Sequence, residues 1–203
     1  MTGPGHRRVE VVLDVVCVHA YVGFTRYVRA AERYRAAGGT VETVLLPYQL
    51  RPEAPAEAEP LIELHRRERG EDAARTLALG HGFGAADGLQ LHFHRALFTN
   101  SFAAHRLLAR ASAQDRAEPA AERLFRAYFT DGLHIADPSV LERIAGEAGV
   151  NGYGAVGDAE LRAELARVRR LDVEPPLPTF RFDGGPVLSG DRPEEALLAA
   201  LAG

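Results

Sequence analysis

The sequence predicts an α/β fold in which a strand–helix–strand unit and a strand–strand–helix unit are separated by an all-helical insertion. Three observations carry this. Residues 9–16 form a β-branched run with the length of a buried strand and no helical period. A proline-rich stretch at residues 47–60 leads into a long segment of helical period. Residues 179–189 then return to β character around Asp183-Gly184-Gly185, and one more helix follows.

The elements follow in order. After the first strand, residues 20–37 place Tyr21, Phe24, Val28, Ala31 and Tyr34 three and four apart and stop at Gly38-Gly39, the pattern of an amphipathic helix. Residues 40–46 are a second β-rich run, and a crossover of this length suits parallel pairing. Pro47, Pro52, Pro55 and Pro60 exclude a continuous helix or central strand. In the insertion, Thr99 or Asn100 can cap a helix over residues 101–111. Glu118-Pro119 opens a run through Phe129, and Asp137-Pro138 supplies a cap with proline at the first helical position. Pro175-Pro176-Leu177-Pro178 precedes two short strands, and residues 191–194 start a last helix with Leu197, Leu198 and Leu201 on its apolar face. The expected boundaries are residues 1–52 and 153–203 for the sheet-containing domain and 53–152 for the helical insertion.

Composition narrows the function classes. The chain has 203 residues, enough to bury a full core, and a formal charge of -4, which supplies no concentrated basic surface for nucleic acid. Cys17 is the only cysteine, so no intramolecular disulfide forms and no oxidising compartment is required. The N-terminal apolar run is broken by Asp14 and is too short for a signal or membrane-spanning segment. The expectation is a soluble cytoplasmic protein without nucleic-acid or membrane partners.

The stretch Asp14-Val15-Val16-Cys17-Val18-His19-Ala20-Tyr21-Val22-Gly23 resembles the active site of the DsbA-like thioredoxin-fold family, FrnE type, where a strand ends in a Cys-Pro-Trp-Cys tetrad followed by an aromatic residue and a glycine. Here the first cysteine remains and the second has become Ala20, so Cys-x-x-Cys is reduced to Cys-x-x-Ala. Residues 47–52, 100–107, 124–132 and 135–138 are similar to that family's segments in the same order, and the match covers nearly the whole chain. The resemblance implies a thioredoxin-like fold, βαβ then ββα, interrupted by the helical insertion. It implies that Pro178 holds the family's cis-proline position, presenting the backbone of Leu177 beside the sulfur. The shortened stretch around Asn151 to Asp158 and the changes at Val18, His19 and Ala20 are its departures.

The candidate catalytic residues are Cys17 and His19. A cysteine between a strand and a helix start sits near unpaired N–H groups that stabilise a thiolate, which predicts a pKa below the ordinary value of about 8.5; the alternative is a buried structural cysteine. His19, two residues on, is either a proton carrier or thiolate modulator, or a plain exposed helix-start residue. Tyr21, Asn100, His105, Leu177 and Pro178 are the candidate substrate-binding residues; Asn100 also reads as a helix cap and His105 as a packed helix residue. His92-Phe93-His94 lacks the companion ligands of a metal site, so no metal is expected. The break at residues 80–84 follows no strand and is not read as a phosphate loop.

Ala20 removes the resolving thiol, so substrate oxidation by intramolecular dithiol exchange is not expected. Two functions remain. In one, Cys17 is a single nucleophilic or thiol-exchanging group acting on a small organic molecule, as an isomerase, transferase or tailoring enzyme. The resemblance implies aromatic polyketide or other secondary metabolism, with 2-hydroxychromene-2-carboxylate isomerases among the relatives. In the other, the chain is a non-catalytic ligand-binding or chaperone-like protein. No cofactor is required in either; a low-molecular-weight thiol as cosubstrate and a homodimer are left open.

Overall fold

The computed structural model describes residues 5–80, 82–152, 157–171 and 176–203. His81 of the 80–84 break, Pro175 of the proline cluster, residues 153–156 of the shortened stretch and residues 1–4 of the N-terminal segment lie outside the described residues. The chain divides into two compact units, Met1–Tyr48 with Gly157–Gly203, and Gln49–Val156.

The first unit is built on a four-stranded sheet in the order β2-β1-β5-β6, with β1 at His6–Leu13, β2 at Thr40–Pro47, β5 at Thr179–Phe182 and β6 at Val187–Ser189. Between β1 and β2 lies α1, Val18–Ala36, and the two strands pair in parallel with Val11 opposite Leu45, as a right-length crossover requires. β5 runs antiparallel to β1 with Val11 opposite Phe180 and Val12 opposite Thr179, and β6 pairs antiparallel with β5. The N- and C-terminal strands therefore share one sheet, as the sequence predicts.

Both faces of this sheet are covered. Val9, Val11, Thr43, Leu45 and Phe180 share a face by register. On it α1 sets Tyr27, whose ring is 5.4 Å from Phe180 and whose hydroxyl is 2.8 Å from Thr43 Oγ1. The last helix, α8 at Glu194–Ala202, packs on α1, where Arg33 Nη1 donates to Glu194 Oε1 at 2.8 Å. The opposite face carries Glu10 and Arg181, 3.4 Å apart, and α7, Asp158–Arg169, packs against β2 with Arg167 within reach of the Glu10 charge. The alternation of pleat directions explains why one strand feeds two layers.

Strand β1 ends three residues earlier than its β-branched run. Cys17 N donates to Asp14 O at 3.0 Å, so residues 14–17 close a turn and α1 begins at Val18, two residues before its expected start. The apolar run thus serves both strand and turn.

The second unit is mostly helical: α2 at Leu61–Arg69, α3 at Glu71–Leu79, α4 at Phe102–Ser112, α5 at Ala117–Arg126 and α6 at Pro138–Glu147. A two-residue ribbon joins β3, Glu59–Pro60, to β4, Leu97–Phe98. The run opened by Glu118-Pro119 does not stay α-helical to Phe129: it widens into a π turn over Ala127–Asp131 and stops at Gly132, φ 69°. At α6, Asp137 accepts from Ser139 N at 2.8 Å with Pro138 in the first turn, as predicted. His92 and His94 lie in a turned segment instead of on a strand, and the His92 Nδ1 stands 2.9 Å from Thr130 O.

Candidate functional site

Cys17 is the N-cap residue of α1, with extended backbone (φ -96°, ψ 113°) and no capping hydrogen bond from its side chain. Most helix starts use an oxygen-bearing side chain here; a sulfur satisfies orphan N–H groups poorly and leaves them facing the thiol. The side chain is half-buried. Ala20, at the tetrad's last position, is fully buried, and Cys17 is the chain's sole sulfur apart from Met1.

The loop before β5 comes to the same end of the sheet. The Leu177-Pro178 peptide bond is cis. Continuing the β1/β5 register one step past Val12 and Thr179 sets Pro178 across from Leu13, next to the turn that carries Cys17. A Cβ added to Gly23 would lie 2.7 Å from Pro178 Cγ, so α1 approaches the proline ring through a residue with no side chain. Pro178 O accepts from Gly190 N at 2.8 Å, which joins this loop to the one after β6. From that second loop Asp191 reaches His19, with Oδ1 3.7 Å from Nδ1. Arg26 Nη1 donates to Asp191 O at 2.6 Å.

The thiolate expectation is overturned. Cys17 is pushed up to about 11, foremost by burial of the sulfur. The N–H groups of Ala20 and His19 favour the thiolate, as a helix start should, but Coulombic repulsion from Asp14 and Asp191 works with the burial and together they outweigh it. Asp14 is fully buried, so its field is little screened. The resting site holds a neutral thiol.

Cys17, His19 and the Leu177-Pro178 bond thus belong to one unit and one end of its sheet. Leu177 itself is buried, and Tyr21, at 3% exposure, has the surroundings of a core side chain alongside Phe24 and Tyr27 of the same helix. Asn100 and His105 belong to the other unit. Asn100 is committed to its own unit's architecture: its Oδ1 accepts from Gln49 Nε2 at 2.9 Å and Phe102 N at 2.8 Å, and its Nδ2 donates to Pro52 O at 3.0 Å and Ala54 O at 2.8 Å. The cap reading suits it better than the binding one, because no donor or acceptor is left over. His105 is buried on α4 at 1% exposure. Asp14 and Asp191 are not among the site residues expected from the sequence. Asp14 had a signal, a lone carboxylate in an otherwise apolar run; Asp191 had none, since only the fold carries it to α1.

The model of the DSBA-like thioredoxin domain matches residues 8–174. Among solved structures, a probable DsbA oxidoreductase from Streptomyces coelicolor is 26% identical, with a TM-score of 0.82 over 97% of this chain and 88% of its own. The cytosolic disulfide reductase DsbM from Pseudomonas aeruginosa, also solved with GSH, is 24% identical, with a TM-score of 0.59 over 95% of this chain and 95% of its own. A 2-hydroxychromene-2-carboxylate isomerase is 14% identical, with a TM-score of 0.52 over 91% of this chain and 89% of its own. No curated protein matches the sequence. None of the helices among the described residues is long and apolar enough to cross a membrane.

Proposed function

The chain belongs to the DSBA-like thioredoxin domain family, and from that premise we propose that it is a single-thiol member acting on a small organic molecule, with isomerase, transferase or tailoring chemistry in place of dithiol oxidation. One observation carries the reading: Cys17 is the chain's single cysteine and occupies the N-cap position of α1, with buried Ala20 where a resolving sulfur would have to be. A lone thiol can form a mixed disulfide or a covalent adduct, yet it has no internal partner to expel the product.

The resting protonation state shapes the chemistry. A thiol held near 11 exposes on the order of one thiolate in ten thousand at neutral pH. The reacting form therefore arises when a ligand or cosubstrate brings a base or a compensating charge, or when His19, two residues along, takes the proton. Such a thiol resists adventitious oxidation, since susceptibility follows thiolate character. The FrnE-type resemblance supports aromatic polyketide or related secondary metabolism as the setting. DsbM, solved with GSH, supports a low-molecular-weight thiol as the first cosubstrate to try. A cytoplasmic location suits a chain whose single cysteine asks for no oxidising compartment.

The neutral thiol also favours a second reading, a non-catalytic ligand-binding protein in which Cys17 is inert. Mass spectrometry after exposure to a small disulfide separates the two. The single-thiol reading expects one mixed disulfide at Cys17 and no catalysis of oxidative refolding of a reduced substrate. It expects an intramolecular disulfide only in the Ala20→Cys variant, between Cys17 and the introduced cysteine. Refolding catalysis by the native chain at the rate of a dithiol enzyme would overturn it, and a Cys17 inert to disulfides even as pH approaches its own titration near 11 would leave the binding reading in its place.

A further inference from the structure

We infer that Asn151-Gly152 is a self-modifying site, where Arg110 and Gln114 promote the loss of ammonia from Asn151 and steer the product to isoaspartate. The inference is independent of the Cys17 chemistry, and all four residues belong to the helical unit.

The chain has two asparagines, and they stand in opposite circumstances. Asn100 precedes Ser101, and its side-chain amide is held by Gln49, Phe102, Pro52 and Ala54. Asn151 is exposed and precedes Gly152. Among the described residues, every hydrogen bond of Asn151 runs through its main chain, so its side-chain carbonyl can turn toward the next nitrogen. Gly152, exposed and with φ 65°, carries no side chain to shield that nitrogen.

The Asn151 main chain is gripped from α4 and the turn that follows it. Gln114 Oε1 accepts from Asn151 N at 3.0 Å, and Gln114 Nε2 donates to Asn151 O at 2.9 Å. Arg110 Nε, in the last turn of α4, donates to the same oxygen at 2.9 Å. Asn151 O therefore faces two donors, one of them cationic. When a base from solvent takes the proton of Gly152 N, the charge of the amidate is shared with Asn151 O, where these donors stabilise it. The nitrogen then attacks Asn151 Cγ, the bond from Cγ to the side-chain nitrogen breaks, and that nitrogen leaves as ammonia with a proton from water. A five-membered imide remains, and water opens it at either carbonyl. Opening at the Asn151 main-chain carbon breaks its bond to Gly152 N and converts the held oxygen into a carboxylate against Arg110, with the chain continuing through Cγ as isoaspartate. Opening at Cγ gives aspartate and leaves the held oxygen an amide carbonyl. The two donors favour the first outcome, because the new charge forms on the atom they already hold.

Ageing the folded chain in mildly alkaline buffer, followed by peptide mapping with fragmentation that separates isoaspartate from aspartate, reads both the rate and the product. Asn151 should convert while Asn100 stays intact. Arg110→Ala leaves both Gln114 bonds to Asn151 in place, and it should slow the conversion by about threefold or more and lower the isoaspartate-to-aspartate ratio. An Asn151 that converts no faster than Asn100 overturns the inference, and so does a rate or a product ratio that does not move in Arg110→Ala. A synthetic peptide of residues 148–154 carries the same sequence without the two donors, and its isoaspartate share should fall below that of the folded chain. Should Arg110→Ala fail to fold, this comparison decides: an equal or higher share in the peptide overturns the inference.

Discussion

The starts of α1 and α4 solve the same problem in opposite ways. Every helix leaves its first N–H groups without internal partners. Ahead of α4, Asn100 takes one of them, from Phe102 at 2.8 Å, and its amide ties back to Pro52 and Ala54. Ahead of α1, Cys17 contributes no capping hydrogen bond, and the first turn has no acidic residue. One start spends its polarity on architecture; the other leaves it unspent beside a sulfur. The difference teaches where chemistry can sit: a functional group in a helix start is available only if the local structure does without it. Thus Asn100 is committed to the scaffold, and Cys17 is left available for the chemistry proposed above.

The largest test of this contrast is Asn100→Ala. The substitution removes four hydrogen bonds, to the carbonyls of Pro52 and Ala54, the amide of Gln49 and the N–H of Phe102. Denaturant unfolding should show a loss of about 3 kcal/mol, since groups left unsatisfied cost more than the net value of a bond. A loss under about 0.5 kcal/mol, the level of an ordinary surface change, would return Asn100 to the candidate binding residues.

The next test is pH. The Cys17 thiol is raised from 9.0 to about 11 in the folded chain. Its protonated form is therefore stabilised by folding: the stability is fully present below pH 9 and is lost as pH rises through 11, because the unfolded chain gives up the proton first. Discounted for partial exposure, the loss should reach up to about 2 kcal/mol between pH 9 and 11. Cys17→Ala should flatten that segment of the stability profile. A wild-type profile parallel to the variant's across this range would show that the thiol is not held protonated by the fold.

Much of the scaffold was legible in the sequence, and the reasons are local. The runs that became β1 and β2 are β-branched and continuous, and Asp137-Pro138 marks a helix start by chemistry that needs no tertiary partner. Helix α7 carries a legible period as well: Leu161, Leu165 and Val168 recur at four and three residues and are all buried. The two-residue strands β3 and β4 could not be seen, because pairs that short have no period. At the candidate site, Cys17 and Pro178 come from the resemblance, and the lowered thiol pKa expected of a helix start is reversed by burial of the sulfur. The helix-start effect is local and readable, as is the Asp14 charge three residues away; the burial that does most to overcome it comes from packing, and the smaller Asp191 contribution from a loop near the far end of the chain.

The smallest expected effect is the most discriminating. Cys17→Ser replaces a poor cap with a good one at nearly the same size. If α1 does without a cap because the sulfur is needed for function, the serine hydroxyl should accept from an N–H of the first turn. The folded chain should then gain about 0.5 kcal/mol while disulfide capture is lost. A stability gain coupled to loss of reactivity is the mark of a residue kept against the preference of the fold. If Cys17→Ser instead destabilises by about 1 kcal/mol or more, the half-buried sulfur is part of the packing, where a polar oxygen is penalised. Thermal and denaturant unfolding near neutral pH, where the thiol is protonated in both states, isolate this comparison from the titration. The helix start would then be a structural compromise and not a site held open for chemistry.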